Sequence, residues 1–330
     1  MARRLERLLA LQREIRSAVR ARMLAQSSDV LSRGVRDDRG DTIFAIDVAA
    51  EDVLLPFCEA WGRDEPFVLI AEGLEPDTGL VFGRPGSSGP AFRLIVDPID
   101  GSRGLMFDKR SAWCLAAIAP DRGPGTGLRD LELAVMTELP TTRQATSDVL
   151  WAERDGATHG RRELLDGGAS RELVVAPSQR ADFLHGFATV ANYFPGGKDL
   201  TSRFEEELIR RERGGWNPDK AEVYTDQYIS SGGALAELAL GRDRFVLDIR
   251  PLVHRALGVA SSLCGRPYDL CTALVAQRAG CVVTAPDGSP LDAPLDVTTN
   301  LGFAGYANPA LAARVQPIVD ALLVEFGLTA

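Results

Sequence analysis

The chain has 330 residues, 45% of them hydrophobic and 25% charged, an ordinary globular composition with enough length for a substantial core. Its formal net charge of −9 and pI of about 5.0 are the opposite of what a duplex-binding protein shows, so a nucleic-acid partner is not expected. Mean hydropathy is −0.04, and no apolar run reaches the length of a membrane span. The five cysteines (Cys58, Cys114, Cys264, Cys271, Cys281) are scattered with no C-x-x-C pair, which points to free thiols in a reducing, cytoplasmic setting rather than to zinc or disulfides.

Residues 3–26 place Leu5, Leu8, Leu9 and Ile15 at helical spacing and predict an amphipathic helix. The stretch is basic but lacks the apolar core of a secretory signal, and Glu6 and Glu14 speak against a transit peptide. Residues 33–47 read as a polar turn entering a short apolar stretch, and 46–62 as a helix stopping at Gly62. "PFVLIAEG" predicts a buried strand ending in Glu72, and "AFRLIVD" a second one ending in Asp97, with a turn-rich segment between them. "AWCLAAIAP" and "LELAVMTEL" read as further strands. Residues 141–170 look polar and irregular, 172–178 like a strand, and 181–194 like a helix. "GGALAELALG" is helical, "RFVLDIRP" a strand, and "PYDLCTALVAQRAG" a helix stopping at Gly280, followed by a strand and a turn at Asp287–Gly288. The tail is helical, with Asn308 as cap and Pro309 in first position. Strands and helices mix throughout, so the class is α/β or α+β. A boundary near 170–180 is expected, giving halves 1–175 and 176–330.

"LIVDPIDGSRG" (94–104) carries the chemistry. If the strands ending in Glu72 and Asp97 are neighbours, their acidic ends converge, and a tight turn brings Asp100 to the same point. Strand ends are where α/β proteins build sites. Clustered carboxylates repel unless a cation sits among them. Hard oxygen donors without His or Cys favour Mg²⁺, Mn²⁺ or Ca²⁺, and the Ile99 carbonyl is a further possible donor. If a helix starts at Gly101 and Ser102, its free N–H groups make an anion site beside the cations, a combination that suits a phosphate ester. An Asp-Pro turn with a plain Asp cap is the competing structural account. Asp269, before an apolar helix, and Asp47, before "VAAEDVL", also read either as helix caps or as members of the site.

These residues match a known pattern. "DPIDGS", the strand-end Glu72, Tyr268-Asp269 followed by Arg278-Ala279-Gly280, "TIFAIDVAAE" and "SGGALAELALG" resemble, in order, the motifs of the inositol monophosphatase family. This is the lithium-sensitive, Mg²⁺-dependent superfamily that includes fructose-1,6-bisphosphatases and nucleotide bisphosphate phosphatases. The resemblance runs from about Asp41 to Asp287. It implies a layered α-β-α-β-α sandwich, often a homodimer, acting on a small phosphate ester with two or three Mg²⁺ ions, Mn²⁺ as a substitute and Li⁺ as inhibitor. It implies that Glu72, Asp97 and the Ile99 carbonyl hold one ion, and Asp97, Asp100 and Asp269 a second. Ser102 with Asp47, or Glu72, would activate a water for in-line attack, while the N–H groups of Gly101 and Ser102 cradle the phosphate.

The chain also departs from the family. Ala71-Glu72-Gly73 replaces G-E-E, which bears on a third cation site, and Cys281 replaces a glycine. Arg103 follows the core motif where the family has no arginine; with Lys109 and Arg110 it reads either as a solvated basic turn or, if the three face the pocket, as a match for a second anionic group on the substrate. The link 248–269 is longer than the family's and holds Asp248, Arg250, His254 and Arg266; Asp248 and Arg266 are the candidates for substrate contact, and His254 reads as a packed residue. The sequence therefore predicts a Mg²⁺-dependent phosphatase of a small sugar, polyol or nucleotide phosphate. The alternatives are a bisphosphate-specific enzyme on the same fold and a non-catalytic binding relative.

Overall fold

A computed structural model describes residues 1–38, 41–86, 89–215, 217, 219–259 and 263–329. The chain opens with α1 (Ala2–Ala25) and a short α2 (Ser28–Leu31), then the hairpin β1 (Gly34–Asp38) and β2 (Asp41–Phe44), then α3 (Ala45–Gly62). Next come β3 (Phe67–Ala71), β4 (Leu80–Phe82), β5 (Phe92–Asp100), the single turn α4 (Ser102–Leu105), β6 (Ala112–Pro120), β7 (Leu133–Leu139), β8 (Thr146–Glu153), β9 (His159–Leu164) and β10 (Arg171–Glu172). The strands from β3 to β10 form one sheet of order β10-β9-β8-β7-β6-β5-β3-β4. A second sheet, of order β12-β11-β13-β15-β14, uses β11 (Gly186–Val190), β12 (Val223–Tyr224), β13 (Asp243–Asp248), β14 (Val282–Thr284) and β15 (Phe303–Tyr306). Around it lie α5 (Lys198–Arg213), α6 (Ser231–Ala239), α7 (Arg250–Ala256), α8 (Pro267–Leu270), α9 (Ala273–Ala279) and α10 (Pro309–Glu325).

Side-chain alternation along the strands creates the layers. Phe92, Leu94 and Val96 of β5, with Cys114 and Ala116 of β6, face Leu8, Leu11 and Ile15 of α1 and Ala50 and Leu54 of α3 in one core. The opposite face, with Ile95, Trp113, Leu115 and Ala117, packs on Leu235 and Leu238 of α6 and Val275 of α9 in the other. That core continues through Phe245, Phe303 and Tyr306 of the second sheet to Phe204 and Leu208 of α5 and Val315 and Val319 of α10. The order helix, sheet, helix, sheet, helix is the predicted α-β-α-β-α sandwich.

Several expectations fail, among them the single helix over residues 267–280, which is broken into α8 and α9. Residues 141–170 are not irregular: β8 and β9 pair antiparallel there, Thr146 with Leu164 through Trp151 with His159, their polar side chains engaged by Arg16 and Arg162. Residues 172–178 yield only the tip of a two-residue edge strand. Residues 181–194 are not a helix but hold β11, whose Ala188 and Val190 are buried where it lies parallel to β13. The helix lies just beyond, as α5, between Gly197 and Gly214, both at positive φ. Among the described residues no helix is long and apolar enough to cross a membrane.

Candidate active site

β3 and β5 are parallel neighbours, Ala71 opposite Val96, so Glu72 and Asp97 come next on the two strands, with the Glu72 N–H donating to the Val96 carbonyl at 3.3 Å. Asp97 and Asp100 are three apart and would point to opposite faces of a regular strand. They do not, because β5 carries a bulge. Asp97 pairs with Leu115 and Asp100 with Trp113, so one extra residue on β5 restores the parity. Both carboxylates thus reach the same face. The Ile99 N–H donates to Asp97 Oδ1 at 3.0 Å within the bulge.

α6 and α8 complete the cluster. Asp100 Oδ2 accepts from Ser230 Oγ at 2.8 Å and from the Gly232 N–H at 2.6 Å, while Ser230 also caps α6 by accepting from the Gly233 N–H at 2.8 Å. Gly232 sits so close that an added Cβ would fall 2.5 Å from Leu115 and 2.9 Å from Asp100 Oδ2. Asp269 occupies the third position of α8 and accepts from the Arg266 N–H at 2.6 Å. Oxygens of Asp97, Asp100 and Asp269 all lie within 4.8 Å of one another.

Burial raises the pKa of all three. Asp97 goes well above the ordinary range, through desolvation first and then the charges of Glu72, Asp100 and Asp269. Asp269 is pushed up to about 8 by burial and by Asp100. Asp100 reaches about 6, held there against desolvation by Ser230 and the α6 amides. Such a cluster of hard oxygen donors, buried and, at Asp97 and Asp269, also repelled by neighbouring carboxylates, fits divalent cations of the Mg²⁺ and Mn²⁺ type.

The cleft beside the cluster encloses about 70 Å³ and is lined by Glu72, Asp97, Ile99, Asp100, Gly101, Ser102 and Arg103 from the first half, and by Asp269 among others from the second. Gly101 has φ of +101°, and an added Cβ there would meet the Ile229 carbonyl at 3.1 Å. Arg103 stacks over Phe44 and Phe194, 5.5 and 5.1 Å from the ring centres.

Other expected site residues lie elsewhere. Asp47 accepts the Phe44 N–H at 2.8 Å at the start of α3 and is not among the cleft-lining residues. The Arg266 guanidinium donates to the Thr298 carbonyl and does not line the cleft. Lys109 is exposed, and Arg110 pairs with Asp226 and stacks on Tyr228, so of the basic trio only Arg103 reaches the cleft. Asp248 is buried under Arg250, whose Nε donates to both its oxygens at 2.9 and 3.0 Å. Arg250 in turn lies 4.6 Å over the Tyr193 ring. The cleft wall also holds Tyr193, Phe194, Ser230 and Cys264, which no sequence motif marks, together with Arg250 and Tyr268.

Solved structures share this architecture. A Thermotoga maritima IMPase superposes with a TM-score of 0.63 at 17% identity, over 98% of this chain and 100% of that one. A Leishmania major fructose-1,6-bisphosphatase gives 0.67 at 12% identity, over 98% and 93%. The extragenic suppressor protein SuhB of Bartonella henselae gives 0.63 at 16%, over 96% and 97%. The chain has the inositol monophosphatase and fructose-1,6-bisphosphatase fold. No family model and no curated protein matches it. At these identities the likeness is one of fold, shared across the whole length of the chain.

Proposed function

We propose that the protein is a divalent-cation-dependent phosphatase acting on a small phosphorylated metabolite. The observation that carries this reading is the convergence of Asp97, Asp100 and Asp269 within 4.8 Å, in a cleft also lined by Glu72, Gly101 and Ser102. Asp97, Asp100, Asp269, Glu72 and the Ile99 carbonyl would hold the cations, Mg²⁺ first and Mn²⁺ as a substitute. Bound there, the cations would neutralise the carboxylates and the phosphate and polarise the phosphoryl oxygens.

The chain's own groups do the rest. The N–H groups of Gly101 and Ser102 receive the phosphate, which the positive φ of Gly101 lets approach the backbone. Glu72, in the cleft lining, takes the proton of the attacking water, which the Ser102 hydroxyl, also in the lining, helps to orient. Asp47, bonded to the Phe44 N–H at the start of α3, is outside the cleft lining and takes no direct part in this reading.

The Asp248–Arg250 pair bears on the substrate. A carboxylate held by a guanidinium through both oxygens is poorly placed to accept from sugar hydroxyls. This favours an ester whose non-phosphate part is met by Arg103 and the cleft wall, and disfavours inositol. A bisphosphate is the second reading, and Arg103 in the cleft is the observation that favours it. Phosphate release from a panel of esters, with and without chelator, tests both, and Li⁺ is expected to inhibit at millimolar concentration.

A further inference from the structure

One thiol stands apart from the other cysteines. Cys58, Cys114, Cys271 and Cys281 sit inside the apolar cores, where burial raises their pKa. Such thiols are inert. Cys264 is also largely buried, 7% exposed, but it lines the cleft rather than a core, and its Sγ lies 3.6 Å from Nδ1 of His254.

The histidine is oriented for this contact. His254 is buried on α7, one turn beyond Arg250. Its Nε2 faces Gly196, and the backbone hydrogen bond there favours a proton on the ring, as expected when Nε2–H donates to the Gly196 carbonyl. With Nε2 carrying the proton of the neutral ring, Nδ1 is the lone-pair nitrogen aimed at Cys264. Burial and the neighbouring Arg250 lower the histidine's pKa, so the ring is neutral at pH 7. The charged groups around the pair are Arg250, whose Nη1 donates to the Leu263 carbonyl at 2.6 Å beside Cys264, and Asp248, which Arg250 neutralises. A thiol, a base within reach and a third group orienting the base are the parts of an activated nucleophile.

We propose that Cys264 and His254 form a reactive thiol dyad in the cleft wall, a site of modification by small hydroperoxides. His254 Nδ1 takes the thiol proton. The thiolate sulfur attacks one oxygen of hydrogen peroxide, an S–O bond forms as the O–O bond breaks, and the departing hydroxide takes the proton from His254. The sulfur is oxidised to a sulfenic acid and the peroxide is reduced to water. The added oxygen lies in the cleft that holds Asp269 and Ser102, so oxidation would also slow phosphate release; that consequence alone rests on the phosphatase reading.

The test treats the full chain with hydrogen peroxide at pH 7 in the presence of a sulfenic-acid-trapping dione, and maps the adducts by mass spectrometry. Cys264 is expected to label about tenfold faster than any other cysteine, because it lines the cleft with a base within reach while the other four lie inside the cores. His254→Gln, with its fold checked by circular dichroism, is expected to lose that advantage. Labelling spread evenly, or led by another cysteine, overturns the proposal and needs no variant, as does a folded His254→Gln that labels at the wild-type rate. Rapid labelling of Cys264 in a protein that releases no phosphate would leave the dyad standing and count against the phosphatase.

Discussion

Asp97, at the bulged end of a buried strand, and Asp269, three positions into a short helix of the other half of the chain, present carboxylate oxygens within 4.8 Å of each other. Nothing local requires this approach, and it is unfavourable unless positive charge joins it.

The first prediction concerns the charge itself. Asp97→Asn removes a negative group from a repelling cluster, so in chelator the variant should melt no lower than the wild type. In Mg²⁺ it should lose phosphatase activity by about 10³-fold, the scale seen when one electrostatic group of a site is removed. Parallel melting curves and rate measurements check both halves; a variant that keeps turnover has lost no cation ligand.

Stability should depend on pH in a particular direction. Asp100, at about 6, and Asp269, at about 8, keep protons in the folded state that the unfolded chain releases near pH 4. The folded form therefore binds more protons than the unfolded one across this window, and cation-free stability should fall as pH rises from about 4 to about 8. Melting in chelator at pH 5.5 should exceed that at pH 8. Mg²⁺ should narrow or reverse the gap, since it binds the ionised form.

Ser230 links the cluster to the fold. Its hydroxyl donates to Asp100 and accepts from the Gly233 N–H, both at 2.8 Å. Ser230→Ala should cost about 1–2 kcal/mol through loss of the cap and of a hydrogen bond to a buried carboxylate. It should also weaken Mg²⁺ binding in calorimetry, because Asp100 is then held by α6 amides alone.

The Asp248–Arg250 pair gives a separate test. Both side chains are buried, 1% and 7% exposed. Arg250→Ala leaves the Asp248 carboxylate uncompensated and should destabilise by about 3–5 kcal/mol. Adding Asp248→Asn should restore part of that loss, which denaturant melts of the single and double variants would show.

Part of the candidate site was legible because Glu72 and Asp97 each follow a buried apolar run, and an acid placed there is a candidate for a site. Adjacency of β3 and β5 was only a condition of that reading, and the parallel pairing of the two strands meets it. The bulge at Pro98-Ile99 was not legible, although it alone turns Asp97 and Asp100 to one face. The cleft wall was hidden for another reason. Tyr193 follows β11, whose "GFATV" sits among Phe183, Leu184 and Ala191, a spacing that also suits a helix; only its parallel pairing with β13 decides for a strand. β8 is hard to read from the sequence because Ser147 and Asp148 are buried polar residues, satisfied by Arg16 of the distant α1 and by Arg162 across the pair on β9. α5, by contrast, shows Leu200, Phe204 and Leu208 at four-residue spacing between glycines, a signal present in the sequence.

The central claim is tested most directly by phosphate release from phosphorylated metabolites, among them inositol phosphates, fructose-1,6-bisphosphate, histidinol phosphate and adenosine bisphosphate. Each is assayed in Mg²⁺ and in EDTA with wild type and Asp97→Asn. The account predicts release from at least one ester that requires Mg²⁺ and disappears in the variant. Release that persists in EDTA, or that Asp97→Asn leaves intact, would contradict it.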